Sequence, residues 1–299
     1  MEIDEIFRQL FYHLAPSSGT YLYVFIAVVS YRTWLSDGSH HPQGLLLFSI
    51  GLSSAIFECY QLIINILSDI GPEGLLEFSV CTVFSYCLLQ FCIFFSLCQI
   101  SLLCSFYCIK LISFQHWIIQ VLKSRIPSTL PWIISGSVVM SGIVLILLCG
   151  IIFITVPVYN ENRTFCRRID YSYVLQIILT LNGFDYLVAL PFCLILVSLS
   201  CTTFSLIQHV RRTISLDRSH LEAHIDAAKT MILLLTLNTS FYVSRLVMGL
   251  GVLPFPLDLI CDVLNYLFWP LQALTLIFRT KKLHRSFIWC LYRRSSEQM

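Results

Sequence analysis

Charged side chains are scarce in this sequence. Asp, Glu, Lys and Arg make up 12% of its 299 residues, whereas hydrophobic residues make up 57%. A soluble domain of this length would need far more charge to cover its surface, and a mean hydropathy of +0.79 is typical of proteins that cross a membrane several times. The formal net charge is only +2 and long basic blocks are missing, so we expect no nucleic-acid partner.

Catalytic and cofactor motifs are also missing. No Ser/His/Asp set, pair of catalytic carboxylates or glycine-rich phosphate loop has the spacing that an enzyme would need. Most of the 13 cysteines lie inside apolar runs, where they behave as small hydrophobic residues. His209, His220, Glu222 and His224 are metal-ligand residue types, but histidines in a short loop are more often solvated. We therefore expect neither an enzyme nor a bound metal or cofactor.

Long apolar segments, in contrast, are plentiful. Seven of them have about 18 or more residues, enough to cross roughly 30 Å of hydrocarbon. They cover residues 17–34, 44–67, 79–107, 131–156, 183–207, 227–249 and 257–278, and a tail follows at 279–299. The sequence thus predicts an all-α, seven-transmembrane helix bundle that forms a single domain over residues 1–299.

The uneven distribution of Lys and Arg between the loops predicts the orientation of the bundle. Most of these residues fall in the loops after the first, third and fifth spans and in the tail, and the side rich in Lys and Arg is cytoplasmic. We therefore expect a multi-pass protein of the plasma membrane with its amino terminus outside and its carboxyl terminus in the cytoplasm. Asn162-Arg163-Thr164 then falls in the second outer loop, where a glycan can be attached, so Asn162 is a predicted glycosylation site.

Characteristic motifs lie at the cytoplasmic ends of the predicted helices. The junction of the fifth and sixth spans reads PFCLILVSLSCTTFSLIQHVRR from residue 191 and HLEAHIDAAKTM from residue 220. The end of the third span and the loop after it read LLCSFYCIKLISF, then WIIQVLKSRI, then PWIISG. In order and separation, this combination resembles the bitter taste receptors (type 2 taste receptors), which are seven-helix G-protein-coupled receptors.

The resemblance implies a function and a cytoplasmic interface. It implies a chemosensory receptor for small, mostly bitter-tasting molecules that signals through a gustducin-type heterotrimeric G protein. The residues expected to border the cleft for the G protein lie at the inner helix ends; they are Tyr107, Lys110, Arg125, Ser205, Leu206, His209, Arg211, Arg212, His224 and Lys229. Membrane topology and contact with anionic lipids are an alternative explanation for the cations among them.

Ionisable residues at membrane depth usually face the interior of a bundle, so they suggest a ligand site. Arg245 is expected near the outer end of the sixth span, and Phe241 aligns with an aromatic residue of the resembled family. Our hypothesis is an outward-facing pocket lined by residues of the third, fifth, sixth and seventh spans: Leu89, Gln90, Ile93, Asp185, Tyr186, Phe241, Arg245 and Asp262. The alternative is that Arg245 extends to the membrane interface or pairs with Asp262 only for folding.

The sequence departs from the resembled family inside the membrane. Tyr23 and Ser54 align where the family usually has Asn and Arg, and Gln272 aligns near its His-Ser pair. These departures indicate a divergent member and leave the family's usual polar contact between helices without support here. Glu58, near the middle of the second span, is expected to be protonated or hydrogen-bonded to a neighbour such as Asn265.

One cysteine pair is a further departure. Many seven-helix receptors tether the second outer loop to the third helix, although the bitter taste receptors generally lack this bridge. Cys81 lies near the outer end of the third span and Cys166 lies in that loop, so a Cys81–Cys166 disulfide is a prediction to test.

Two other functions remain open at this point. A multi-pass transporter or channel subunit could place Glu58, Arg245 and Asp262 on a permeation path. A pheromone-type vomeronasal receptor is the second alternative, although the motifs around Tyr107 and His224 fit that family less well.

Overall fold

The computed structural model describes residues 2–36, 42–70, 80–111, 117–155, 193–198, 200–201, 204, 218–249 and 257–296. Within these ranges the chain is helical at every position except a bend at residue 280. The helices are α1 (Glu2–Ser36), α2 (Pro42–Ile70), α3 (Val80–Leu111), α4 (Trp117–Thr155), α5 (193–198), α6 (Arg218–Gly249), α7 (Leu257–Arg279) and α8 (Lys281–Ser296). The predicted all-α architecture is confirmed.

Several of these helices are suited to a bilayer. Five contain a segment long and apolar enough to cross a membrane: Phe11–Ser36, Gln43–Ile66, Gln90–Ile109, Ser128–Leu147 and Leu259–Arg279. In lipid a helix satisfies its own backbone hydrogen bonds, which is why long apolar sequences fold this way. Large apolar side chains cover the outer faces, where they would meet hydrocarbon rather than water.

The helices α1 and α2 pack closely because a glycine lies at their crossing. A Cβ atom on Gly51 would come within 2.7 Å of the Ala27 backbone nitrogen and 3.0 Å of the Tyr23 carbonyl oxygen. Membrane helices approach this closely only where the contact residue is small. The glycine therefore fixes α1 against α2, with the Tyr23 side chain fully buried between the helices.

Polar side chains join α3 to its neighbours. The amide oxygen of Gln99 accepts a hydrogen bond from the Ser49 hydroxyl of α2 (2.9 Å), and its amide nitrogen donates to the Ser137 hydroxyl of α4 (2.7 Å). The hydroxyl groups of Ser105 and Ser198 lie 3.0 Å apart and join α3 to α5. Since lipid offers no competing water, such bonds help membrane helices to associate.

Aromatic residues fill the space between α2, α6 and α7. The rings of Phe241 and Phe268 stack with their centroids 4.2 Å apart, and Trp269 packs on Phe57 at 4.5 Å. The next residue, Pro270, lies inside α7 and has no backbone N–H to donate to the carbonyl four residues earlier. The aromatic cluster (Phe57, Phe241, Phe268 and Trp269) therefore lies directly on the outer side of a weak point in α7.

At the end of α7 the chain turns into α8. Backbone bonds from Thr280 N to Leu276 O (3.1 Å) and from His284 N to Thr280 O (2.9 Å) carry helical hydrogen bonding across the bend. The inner face of α8 is anchored by Phe287, whose ring contacts Phe25 of α1 at 5.4 Å. The opposite face exposes Trp289 and other large apolar residues, as expected of an amphipathic helix at a membrane interface.

Candidate functional site

Three of the predicted pocket residues of α3 and α6 are buried inside the bundle. Gln90 and Ile93 are buried on α3, and Phe241 of α6 is buried in the aromatic cluster. Leu89 lies in α3, but its side chain is outside the described part of the structure. Phe241 thus forms the inner limit of the outer half of the bundle, rather than standing free in an open cavity.

The outer parts of α6 and α7 face each other. The Asn265 amide nitrogen donates to the Met248 sulfur at 3.1 Å and to the Cys261 carbonyl oxygen at 2.8 Å. Arg245 precedes Met248 by three residues and Asp262 precedes Asn265 by three, so each pair shares one helix face. Arg245 and Asp262 are half-buried and both have interaction partners. Arg245 therefore lies on the face of α6 that contacts α7, and Asp262 lies on the face of α7 that contacts α6.

Two amide atoms in this outer half have no hydrogen-bond partner among the described residues. They are Nε2 of Gln90 and Oδ1 of Asn265, and both atoms are buried. Oδ1 of Asn238 is also buried without a described partner, but Asn238 lies three residues closer to the cytoplasmic end of α6 than Phe241, and its amide nitrogen donates to the Leu234 carbonyl oxygen (2.6 Å). Buried polar atoms are almost always paired in native proteins, so the atoms of Gln90 and Asn265 can donate to or accept from a small polar ligand.

At the cytoplasmic end, Tyr107 connects α3 to two other elements. Its hydroxyl accepts a hydrogen bond from the Gln43 amide nitrogen of α2 at 2.9 Å and also contacts the Thr280 side chain at the bend between α7 and α8. Arg125 and Lys229 are exposed on α4 and α6. Tyr107 is thus partly buried as a connector, whereas these two cations are accessible to a partner.

Many of the predicted site residues cannot be placed. Lys110, His224 and Cys81 lie in α3 or α6 with side chains beyond the described part. Outside the described residues altogether are Asn162, Cys166, Asp185, Tyr186, Ser205, Leu206, His209, Arg211 and Arg212. The disulfide, the glycosylation site and this part of the G-protein interface stay predictions.

Glu58 does not contact Asn265, the neighbour that the sequence suggested as a hydrogen-bond partner. Its side chain is 2% exposed, and a Cβ atom on Gly19 of α1 would lie only 2.9 Å from the carboxyl carbon. The suggested bond to Asn265 does not form, since that amide donates to Met248 and to its own helix. The carboxyl atom Oε1 is buried without a hydrogen-bond partner among the described residues. Glu58 therefore packs against α1 and does not face the predicted pocket.

A polar contact between α1 and α7 was not predicted. The Tyr23 hydroxyl donates to the Gln272 amide oxygen at 2.7 Å, and both side chains are fully buried. Ser54 contacts the same tyrosine oxygen, and its hydroxyl lies 3.2 Å from that of Ser96. Three of these four positions are the ones at which the sequence departs from the bitter taste receptor pattern. The departure from the family pattern could have drawn attention to Tyr23, Ser54 and Gln272. It could not show that these residues contact one another.

Comparison with known proteins covers nearly the whole chain. The sequence profile described as Taste receptor protein (TAS2R) matches residues 3–295. "Taste receptor type 2 member 41" of Pongo pygmaeus is 27% identical, covering 95% of this chain and 94% of its own length. "Taste receptor type 2 member 4" of Papio hamadryas is 26% identical over 89% and 90%, and "Taste receptor type 2 member 16" of Pan troglodytes is 25% identical over 76% and 77%.

Proposed function

The chain belongs to the taste receptor protein (TAS2R) family, the bitter taste receptors, and on this premise we propose that it detects small, mostly bitter-tasting molecules at the plasma membrane and signals through a gustducin-type heterotrimeric G protein. The family match over residues 3–295 carries the proposal. It includes the cytoplasmic helix ends, whose motifs independently resemble this family, and it makes the chain a G-protein-coupled receptor of the membrane. A cytoplasmic tail and an outer amino terminus complete the proposed topology.

The ligand site that we propose lies in the outer half of the bundle, between α3, α6 and α7. Support comes from the buried amide atoms of Gln90 and Asn265 that lack partners among the described residues. It also comes from the facing register of Arg245 and Asp262. A site of this kind, mostly apolar with a few polar groups, suits a small organic molecule. The aromatic cluster forms its floor. Asp185 and Tyr186 belong to the same proposal from the sequence alone.

The proposed output lies at the inner rim. A ligand that prefers one arrangement of α3, α6 and α7 shifts an existing equilibrium between conformations. Support comes from the exposure of Arg125 and Lys229 and from Tyr107, which bonds to Gln43 of α2. We propose that the carboxyl-terminal helix of the G protein binds there, together with the predicted residues of the loop between α5 and α6.

A panel of bitter compounds tests this function. The full-length receptor is expressed with a chimeric G protein that couples it to calcium release, and cells that carry the G protein alone are the control. We expect at least one compound to raise calcium only when the receptor is present. Compound-dependent ion or substrate flux without the G protein would instead support the transporter or channel alternative. Absence of any response at confirmed surface expression would contradict the receptor proposal.

A further inference from the structure

Tyr23 lies at the centre of a series of buried polar contacts that joins four helices. Ser96 of α3 contacts Ser54 of α2, Ser54 contacts the Tyr23 oxygen of α1, and the Tyr23 hydroxyl donates to Gln272 of α7. Each of the four residues is at least 99% buried. The last contact, from Tyr23 to Gln272, is called the α1–α7 bridge below. It connects residues 249 positions apart in the sequence.

The α1–α7 bridge lies directly on the inner side of the weak point in α7. Gln272 follows Pro270 by two residues, and the Tyr266 carbonyl cannot receive the usual helical bond from that proline. On the outer side of the proline, Tyr12 of α1 contacts the Tyr266 ring at 5.6 Å. The helix α1 therefore contacts α7 on both sides of Pro270. It can hold the two halves of α7 at a fixed angle.

The bridge leaves one buried polar atom unpaired, unlike the contacts of Gln99 with α2 and α4. The Gln272 amide nitrogen is buried without a hydrogen-bond partner among the residues that the structure describes. An unpaired buried donor raises the energy of this arrangement. A second arrangement of α7 that gives this donor a partner would recover that cost. The bridge is thus suited to break when α7 moves, whereas a fully paired contact would resist the motion.

We propose that Tyr23 is a positioning residue that holds the inner half of α7 in the resting conformation through the α1–α7 bridge. Breaking the bridge releases the segment from Leu271 to Arg279 and favours the signalling conformation. The signalling consequence rests on the proposed receptor function, whereas the restraint on α7 does not.

Tyr23→Phe is the central variant, because it removes one hydroxyl oxygen and leaves the ring. Tyr21→Phe is the matched control, since Tyr21 lies two residues away with 64% of its side chain exposed on the outer surface of α1. Gln272→Leu removes the acceptor from the other helix. A double variant of Tyr23→Phe and Gln272→Leu tests whether the two residues act together.

Hydrogen exchange of the purified full-length receptor measures the restraint without any ligand or G protein. We expect Tyr23→Phe to speed amide exchange in residues 271–279 by about 3- to 20-fold, which corresponds to the range of hydrogen-bond strengths measured between membrane helices. Gln272→Leu should do the same, the double variant should add little, and Tyr21→Phe should match wild type. Unchanged exchange in both single variants would overturn the proposed restraint.

Ligand-independent signalling measures the consequence. At equal surface expression, Tyr23→Phe and Gln272→Leu should raise basal output several-fold and Tyr21→Phe should not. Faster exchange with unchanged basal output, in a receptor whose wild type responds to a compound, would overturn the assigned role in signalling. If the wild type responds to no compound, the receptor function fails, while the exchange measurement still decides whether Tyr23 restrains α7.

Discussion

Two buried glutamines in the bundle have different environments. Gln99 of α3 uses both amide atoms, which bond to Ser49 of α2 and Ser137 of α4. Gln272 of α7 is equally buried, but only its oxygen is bonded, to Tyr23. A fully paired polar group in lipid has little to gain from rearrangement, whereas a partly paired one does. The difference supports our proposal that α7 moves relative to α2, α3 and α4, which form the static part of the receptor.

The proposed outer ligand site is similar to Gln272 in one respect: it contains buried amide atoms without hydrogen-bond partners. Buried amide atoms of Gln90 and Asn265 also lack partners among the described residues. Polar atoms without partners thus occur where we propose ligand binding and where we propose motion. In contrast, both amide atoms of Gln99, which joins the static helices, have hydrogen-bond partners. Unpaired polar atoms are costly in a membrane, and they also occur in α1 and α2, for example at Oε1 of Glu58, so the contrast that supports motion of α7 is the one between Gln99 and Gln272.

The largest expected effect comes from forcing the static helices apart. Gly51→Val would place side-chain atoms against the Ala27 backbone, which cannot yield as a flexible side chain would. Overpacking of this kind costs about 1–3 kcal/mol or more, and we expect loss of most surface receptor. Flow cytometry with an amino-terminal tag measures it. Gly142→Val is the matched control, because no described atom lies within 4 Å of a Cβ there; an equal loss in both variants would contradict this account.

The same substitution in the two glutamines sharpens the comparison. Gln99→Met should lower the thermal stability of the purified receptor by several degrees and leave basal signalling unchanged, because two interhelical bonds are lost from the static part. Gln272→Met should lower stability less and raise basal signalling. Thermal unfolding and basal calcium output are measured on both variants. If Gln99→Met alone raised the basal output, the static and moving parts would have been assigned the wrong way round.

A smaller effect is expected in the ligand site. Gln90→Leu removes an amide nitrogen that has no described partner, so stability should be unchanged or slightly higher. Potency of an agonist that bonds to this nitrogen should fall about fivefold, in line with a net hydrogen bond of about 1 kcal/mol. Concentration–response curves at matched expression measure it. Ser200→Ala is the control, because Ser200 is exposed two residues after the end of α5. If no agonist in a panel lost potency in the Gln90→Leu variant, Gln90 would not belong to the ligand site.

The smallest effect is expected at the inner rim. Tyr107→Phe removes the oxygen that accepts from Gln43 and contacts Thr280, but the aromatic packing remains. We expect maximal agonist response to change by about twofold, within the range of one hydrogen bond, with surface expression unchanged. Tyr31→Phe, on the exposed face of α1, is the control. A response identical to wild type would exclude the Tyr107 hydroxyl from coupling to α7 and α8.

In the described part of the chain, predicted spans overlap helices, but the helices begin or end elsewhere than the spans. The predicted spans 44–67 and 257–278 lie inside α2 and α7. The helices α1 and α4 begin at Glu2 and Trp117, well before the predicted starts at residues 17 and 131. Hydropathy detects the part of a helix that crosses hydrocarbon, whereas polar turns that continue the helix beyond it give no such signal.

Contacts between distant residues were harder to predict. The sequence indicated that Tyr23, Ser54 and Gln272 depart from the family pattern, yet only the packing of α1 on α7 shows that they meet. The suggested partner of Glu58 was wrong because α2 is apolar over most of its surface, so periodicity could not define which side faces α1. The register of Arg245 and Asp262 could be anticipated from the four- and three-residue spacing of a helix. Their proposed role in binding stays a prediction.

Hydrogen exchange with and without an agonist tests the central contrast most directly. The wild-type receptor is purified, and exchange is followed in the same sample for residues 94–104 around Gln99 and for residues 271–279 around Gln272. The account predicts that an agonist speeds exchange in residues 271–279 and leaves residues 94–104 unchanged. An agonist that loosened both segments equally, or only the segment around Gln99, would contradict it.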